Sequence, residues 1–183
     1  MRRLAGICWC VLLASGPVLL AERARIEGGR FSLEFPNDWK DAGGLEDGAL
    51  LDRVSPDREG SFAVYSLKVA KDHRASLEGT LKQRLTAIKK AGMSIVTDVK
   101  SQKKEFDGKK GLFAVIPVEA GLGGAKVPFT YYLVLLDAKD RVVILQATLP
   151  RPAPQELRES TLKIIESFRE KTEKPAPTPK TER

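Results

Sequence analysis

The stretch YYLVLLDAKDRVVILQATL, residues 131–149, decides the fold that the sequence predicts. It contains two nearly continuous apolar runs, residues 131–136 and 142–145, separated by the short polar segment 137–140. A strand with an uninterrupted apolar run of this kind is typically covered on both faces. The stretch therefore predicts two neighbouring strands at the centre of a sheet.

Turn residues predict two further hairpins on the N-terminal side of this stretch. An Asp-Gly pair at 107–108 separates residues 95–106 from residues 109–120, and this pair is one that a tight two-residue turn favours. The glycine-rich segment 121–125 then leads into a strand at 126–136. Because strands joined by short turns pair locally, this half of the chain predicts an α+β fold and not a doubly wound parallel sheet.

Two segments change to the period of an α-helix. Between residues 76 and 91 the apolar residues form one stripe, with Ser76 as a suitable N-cap and Gly92 at the stop. The stripe consists of Leu77, Leu81, Leu85 and Ile88. A second helix is predicted near the C-terminus, with Pro154 in its first turn. Its apolar face consists of Leu157, Thr161, Ile164, Ile165 and Phe168.

Three short strands precede the first helix. Residues 31–35 alternate apolar and polar side chains, and residues 49–54 and 61–69 follow as two more apolar-rich strands. The predicted order is three strands, a helix, four strands and a helix. We expect an α+β domain in which a largely antiparallel sheet of about seven strands packs with two main helices (β-β-β-α-β-β-β-β-α).

The first 21 residues have the three-part layout of a secretory signal. A short cationic run at 1–3 precedes the apolar residues 4–13, and cleavage after Ala21 would leave Glu22 as the first residue. The alternative is an uncleaved membrane anchor, because residues 4–21 come near the length that spans a bilayer. A serine, a glycine and a proline interrupt the second half of this segment and favour the signal peptide. We therefore expect an exported protein, periplasmic or secreted, with no membrane span after cleavage.

The exported part of the chain is expected to be one domain followed by a tail. Both cysteines, Cys8 and Cys10, lie in the leader. The remaining chain could then form no disulfide and no thiolate metal site, so residues 22–170 would depend on their own core. Residues 171–183 are rich in proline, lysine and other polar residues, which predicts a disordered tail.

The charge is unevenly distributed along the chain, whose formal net charge is +7. Residues 34–59 hold eight acids against three bases, whereas residues 82–110 hold nine bases against three acids. Such a polarity can steer a charged partner. Nucleic acid is not expected as the partner of an exported chain.

Three stretches, in their order, resemble the PsbP-like family, which includes the bacterial DcrB-like proteins. Residues 31–39 (FSLEFPNDW) resemble the family's opening strand and its Pro-x-x-Trp turn. Residues 131–149 resemble its late strand pair, and residues 164–169 (IIESFR) resemble its closing helix. The resemblance covers about residues 25–170, which is nearly the whole expected domain.

This resemblance implies a PsbP-like fold and an exported protein that acts without catalysis, as an accessory or assembly factor. It carries over no catalytic residue, so we expect no enzyme and no cofactor. The expected partner is a protein of the cell envelope. One alternative is a carrier of a small ligand or a lipid, with a pocket near Tyr65 and Tyr132, and a hydrolase is the second alternative.

Three further groups of residues are candidates for other chemistry. His73 and Asp72 could act with Ser76 as a hydrolytic group, but adjacent residues rarely orient one another in this way, and a solvated loop histidine is expected. The segment 121–126 resembles a phosphate loop, but a predicted strand follows it where such a loop needs a helix N-terminus. Scattered acids near residue 45 could bind calcium, although they lack the alternating spacing of a calcium loop. These acids are Asp38, Asp41, Glu46, Asp47 and Asp52.

Aromatic and glycine residues are the remaining candidates for a binding surface. They are Trp39, Tyr65, Tyr132, Gly121, Gly123 and Gly124. Tyr131 and Tyr132 are neighbours on one predicted strand and must point to opposite faces of the sheet, so at most one of them could line a given pocket.

Overall fold

The computed structural model describes residues 21–69 and 76–171. The strands in these residues are β1 (Ala21–Ile26), β2 (Phe31–Pro36), β3 (Lys40–Asp41), β4 (Leu51–Val54), β5 (Ser61–Lys68), β6 (Ser94–Ile95), β7 (Lys100–Phe106), β8 (Lys109–Leu122), β9 (Ala125–Asp137), β10 (Arg141–Pro150) and β11 (Arg169–Glu170). The helices are α1 (Leu77–Lys90) and α2 (Gln155–Glu166), and a short 3₁₀ turn lies at Glu27–Gly29.

The main sheet has eight strands, and every pair in it is antiparallel. β10 lies between β5 and β9, and the sheet continues through β4 on one side and β8 on the other. Residues on both faces of the two central strands are buried, among them Leu133, Val134, Ile144 and Leu145. The central strand pair predicted from residues 131–149 is therefore confirmed, as is the α+β fold with its two helices.

Both predicted hairpin turns are present as two-residue turns. Asp107 and Gly108 have φ angles of 50° and 72°, and Gly123 and Gly124 have φ angles of 58° and 85°. Positive φ at both central positions is what a type I′ turn requires, and this turn matches the twist of the paired strands. The glycine-rich segment thus joins β8 to β9 as a hairpin, as expected.

The arm that precedes the first of these turns is interrupted. A single strand was predicted at 95–106, but β6 and β7 are separate and both pair with β8. Ile95 lies opposite Val118 and Lys100 lies opposite Val115. Residues 96–99 between them belong to neither strand, although the Val96 amide still donates a hydrogen bond to the Pro117 carbonyl of β8 at 3.0 Å. Four residues, 96–99, thus face only two residues of β8, 116 and 117. The extra residues must bulge out of the hydrogen-bonded ladder.

The opening strand lies in a second, smaller sheet. β2 pairs with β1 on one side and with β11 on the other, so the prediction that residues 31–35 belong to the single large sheet was wrong. Neither β1 nor β11 was predicted. Phe31, Leu33 and Phe35 point inward from β2 and are buried, which is the alternation that the sequence displayed.

The last helix is shorter than predicted at both ends. Pro154 is its N-cap and has an extended conformation (φ −53°, ψ 142°), so it precedes the first turn. The helix ends at Glu166, and Phe168 lies beyond it although it continues the apolar spacing. Phe168 is fully buried because its ring stacks on Phe31 of β2, with ring centroids 5.8 Å apart.

The two helices cover opposite faces of the main sheet. α1 begins at its predicted N-cap, where Ser76 Oγ accepts a hydrogen bond from the Gly79 amide at 3.0 Å, and it packs on the face that carries Leu133 and Ile144. α2 and the small sheet pack on the face that carries Val134 and Leu145. Neither helix of the described residues is long and apolar enough to cross a membrane.

Candidate binding groove

A groove of about 750 Å³ opens on the side of the molecule that α2 covers. One wall is α2, and the opposite walls are the turn that follows β2 and the turn that joins β4 to β5. We call it the acidic groove. Six of its lining residues define it, namely Asp38, Trp39, Asp57, Glu156, Leu157 and Glu159.

The turn after β2 supplies the aromatic part of the floor. The Trp39 amide donates a hydrogen bond to the Pro36 carbonyl at 3.0 Å, which returns the chain toward the core. The Trp39 side chain is buried and packs beside Phe35, with ring centroids 6.0 Å apart. Only an edge of the ring is therefore open to the groove, and Asp38 stands next to it at the rim.

The turn between β4 and β5 is held by a buried serine. Ser55 donates a hydrogen bond to the Asp57 carboxylate and accepts one from the Gly60 amide at 2.9 Å. The Glu59 amide donates a further hydrogen bond to Asp57 at 3.0 Å. The hydrogen bond from Ser55, together with that from Glu59, lowers the pKa of Asp57 below its ordinary value. Asp57 is thus an ionised and positionally fixed carboxylate at the rim.

The helix contributes both acids and apolar floor. Leu157 and Ile164 are buried and close the groove from below. Glu156 and Glu159 are exposed on the same wall. Glu156 lies in the first turn of α2, where a negative side chain interacts favourably with the helix dipole.

The groove has a strongly acidic lining in a basic protein. Its charged residues are Glu34, Asp38, Asp57, Glu156, Glu159 and Lys163. Five acids against one base give a formal local charge of −4, whereas the chain carries +7. Arg23 forms an ion pair with Glu34, but within residues 21–69 and 76–171 no ion pair engages Asp38 or Glu156. An apolar floor between anionic rims can bind a group that is both cationic and apolar.

The structure places the other predicted surface residues elsewhere. Tyr65 lies on the α1 side of the sheet, where its hydroxyl donates to Glu46 at 2.8 Å and the Arg84 guanidinium lies 4.3 Å from its ring centroid. Burial is the largest cause of the raised pKa of Tyr65, and the hydrogen bond to Glu46 adds to it. Tyr132 lies on the opposite side, 6.3 Å from Phe113. A single pocket near both tyrosines is therefore not formed.

The three glycines lie apart from these aromatic residues. Gly121 is near the end of β8, and Gly123 and Gly124 form the exposed turn that follows. None of them lines the acidic groove. Of the six predicted surface residues, only Trp39 belongs to it.

Two of the acidic residues that the sequence suggested for calcium accept hydrogen bonds from backbone amides of their own loop. Asp41 accepts a hydrogen bond from the Gly43 amide at 2.8 Å, and Asp52 accepts one from the Glu46 amide at 3.2 Å. In the described part of the chain, no group of three histidine, cysteine, aspartate or glutamate side chains is placed to hold a metal ion. His73 and Asp72 lie outside the described residues, and Ser76 serves as the cap of α1.

Asp57, Glu156 and Glu159 were not predicted as groove residues from the sequence. The sequence around Asp57 does predict a tight turn, because Ser55, Asp57 and Gly60 are residue types typical of turns. The two glutamates were visible only as the polar side of a helix. That these residues face one another depends on long-range packing, which no local pattern encodes.

Comparisons with known proteins identify similar folds. No protein-family model and no curated protein matches the sequence. The solution structure of the cyanobacterial PsbP protein (CyanoP) from Synechocystis sp. PCC 6803 is similar with a TM-score of 0.60 and 11% identity, covering 91% of this chain and 98% of that chain. The Saccharomyces cerevisiae Ran-binding protein Mog1p is similar with a TM-score of 0.57 and 13% identity, covering 82% of this chain and 95% of that chain. A crystal structure from Bacteroides thetaiotaomicron VPI-5482 is similar with a TM-score of 0.56 and 15% identity, covering 82% of this chain and 48% of that chain.

At these identities the similarity shows the fold alone. The chain has the PsbP-like fold, as the resemblance of residues 31–39, 131–149 and 164–169 predicted. The DcrB-like part of that resemblance stays a prediction.

Proposed function

We propose that this protein is an exported, non-catalytic binding or accessory module that assists a partner protein in the cell envelope. The observation that carries the proposal is the acidic groove, a preformed and solvent-open surface with an apolar floor. Such a surface can hold a segment of another protein without any chemical step. Export rests on the layout of residues 1–21.

The walls of the groove suit a binding surface because each is fixed by its own contacts. The Ser55 hydrogen bonds hold one wall, and the turn that buries Trp39 holds another. α2 is anchored below by Leu157 and Ile164. Less conformational entropy is lost on binding when the surface is already ordered, so affinity is gained without additional contacts.

The structural neighbours support a binding role by analogy. Mog1p, which shares the fold, is described as a Ran-binding protein. Fold does not determine function, so this similarity only favours a binding module over an enzyme. In this chain, the acidic groove is the surface at which we propose that a partner binds.

The test is whether partner capture depends on the groove. Tagged protein would be expressed in its native host, cross-linked in the envelope and purified, alongside a Ser160→Trp variant. Ser160 lines the groove and is half-buried, so an indole there fills the space above Leu157. The matched control is Gln83→Trp, which adds the same side chain to an exposed position of α1. Thermal unfolding of each variant verifies that it is folded.

We expect the wild type and the Gln83→Trp variant to enrich the same partner, and the folded Ser160→Trp variant to lose it. Equal recovery of that partner by the Ser160→Trp variant would show that binding does not use the groove. Absence of any enriched protein from the wild-type sample would argue against a partner-binding module altogether.

A further inference from the structure

We propose that the acidic groove binds an extended cationic segment of the partner protein, in which lysine or arginine residues alternate with proline or small apolar residues. This inference rests on the proposed function and specifies the chemistry of its partner. It follows from the charge, the shape and the floor of the groove.

Charge selects the class of partner. The lining carries a formal charge of −4 although the chain as a whole is basic. The net positive charge of the protein repels a cation at long range. The cation is attracted only when it comes close to the acids of the groove. An acidic segment is repelled at the same place. Complementary charge of this kind fixes which partner docks and in which register.

The acids stand on both walls of the groove. Asp38 and Asp57 lie on the two turns, and Glu156 and Glu159 lie on α2. Side chains of an extended segment alternate in direction from one residue to the next. A segment lying along the groove can therefore direct one lysine or arginine to the turn wall and a later one to the helix wall.

The floor determines what lies between the cations. Trp39 and Leu157 form it, and three prolines, Pro36, Pro56 and Pro154, stand around it. Because these residues carry no charge, a segment is held at the floor by apolar contact. Proline or alanine suits it because neither loses side-chain conformational entropy when it is buried.

The length of the groove sets the length of the segment. Glu156 and Ser167 both line it, and a helical path of eleven residues rises about 16 Å. An extended chain of about five residues covers that distance. The groove thus accommodates a short linear motif and not a folded domain.

The experiment measures binding of defined peptides to the exported full chain, with residues 172–183 in place. The probes are a fluorescein-labelled peptide KPAKPAKPA and its counterparts EPAEPAEPA and QPAQPAQPA. Fluorescence anisotropy gives the affinity. Trp39 emission reports occupancy of the groove, because after removal of the leader it is the single tryptophan of the chain.

The decisive variant is the double substitution Glu156→Gln and Glu159→Gln, which removes the charge of the helix wall and keeps its shape. The matched control is Asp98→Asn with Glu105→Gln, two exposed acids that do not line the groove. We expect the lysine peptide to bind the wild type and the control equally and to shift Trp39 emission. Binding to the groove variant should be about tenfold weaker, and salt should weaken binding to the wild type.

Equal affinity of the lysine peptide for the groove variant and the wild type would overturn the inference. So would binding of the glutamate or glutamine peptide as tight as that of the lysine peptide. A chain ending at Lys171 that binds the lysine peptide about tenfold more tightly than the full chain would instead assign the groove to the chain's own C-terminal segment.

The two proposals fail separately. If the Ser160→Trp variant loses the captured partner while the lysine peptide does not bind, the groove is a partner site for a segment of different chemistry. If partner capture is independent of the groove, the proposed function fails whatever the peptide does.

Discussion

The ring of Phe168 stacks on the ring of Phe31, with centroids 5.8 Å apart and an interplanar angle of 26°. The two residues are separated by most of the chain, and both are buried. Phe168 lies between α2 and β11, and Phe31 opens β2. Their contact therefore packs the segment that follows α2 against β2 of the small sheet.

Truncation of Phe168 should strongly destabilise the protein. Phe168→Ala removes a fully buried ring and leaves a cavity, so we expect the free energy of unfolding to fall by about 3–5 kcal/mol. Urea titration followed by circular dichroism measures this change. Phe113→Ala is the matched control, because Phe113 is only half-buried and its loss should cost less. Equal costs at the two positions would contradict the role assigned to the Phe31–Phe168 contact.

Arg30 joins the small sheet to the turn between β9 and β10. Its guanidinium donates to Asp140 at 2.7 Å and to Glu170 at 2.9 Å, and Arg141 also donates to Asp140 at 2.7 Å. The hydrogen bond from Arg30 is the main reason that the pKa of Asp140 lies well below its ordinary value, and that from Arg141 adds to it. The carboxylate therefore stabilises the folded state while it is ionised.

This arrangement predicts a specific loss of stability in acid. A carboxylate whose pKa is lowered by folding contributes stability above its pKa in the unfolded chain, about 3.9, and loses it as the pH falls toward the folded value. Because the Asp140 side chain is 52% exposed, we expect the contribution to be less than about 1 kcal/mol. The difference in unfolding free energy between wild type and Asp140→Asn should be largest near neutrality and vanish in strong acid. A difference that persists unchanged in acid would contradict the prediction.

A glycine of β8 is required by close packing. A Cβ atom at Gly111 would lie 2.8 Å from the Phe106 ring, 3.0 Å from Leu136 and 3.1 Å from the Lys104 carbonyl oxygen. Gly111→Ala should therefore lower the unfolding free energy by about 1–3 kcal/mol through overpacking. Gly121→Ala in the same strand meets nothing within 4 Å and should be nearly neutral. Chemical denaturation of the two variants decides this, and equal stability would count against the close approach of Phe106 and Leu136 to this glycine.

Loss of the Ser55 hydroxyl should act on Asp57. Ser55→Ala removes the hydrogen bond to the carboxylate and leaves the Gly60 amide without its partner. We expect a loss of about 1–3 kcal/mol in stability and a rise in the pKa of Asp57 toward its ordinary value. An NMR titration of the Asp57 carboxyl carbon measures the latter. Ser101→Ala, at an exposed position of β7, should leave both quantities unchanged, and an unaltered Asp57 titration in Ser55→Ala would refute the assignment.

Export should leave Glu22 as the first residue. The leader layout predicts cleavage after Ala21, so N-terminal sequencing of the protein from the envelope or medium should begin with Glu-Arg-Ala. A sequence that begins at Met1, together with recovery in the membrane fraction, would support the anchor alternative instead.

The parts of the fold that the sequence predicted are those with local causes. The strand pair at 131–149, the type I′ turn at Asp107 and the cap at Ser76 each depend on residues within a few positions of one another. Their side chains and φ angles favour the observed conformation before any distant contact forms.

The parts that were missed depend on distant residues. β11 is two residues long, and it is a strand only because β2 lies beside it. Ser167 Oγ accepts a hydrogen bond from the Glu34 amide at 2.8 Å, and such contacts close the acidic groove. Periodicity along the chain cannot reveal a pairing of residues so far apart in sequence, so Trp39 was recognised while its neighbours in the groove were not.

The pairing of β11 with β2 also governs when the molecule can finish folding. Arg169 and Glu170 supply the second neighbour of β2, so a chain that is still being synthesised lacks this pairing until residues 169–170 have emerged. Forming such contacts late requires closure of a very long loop, which slows folding. Under the export proposed above, β2 would gain this second neighbour only after residues 169–170 had passed the secretion channel.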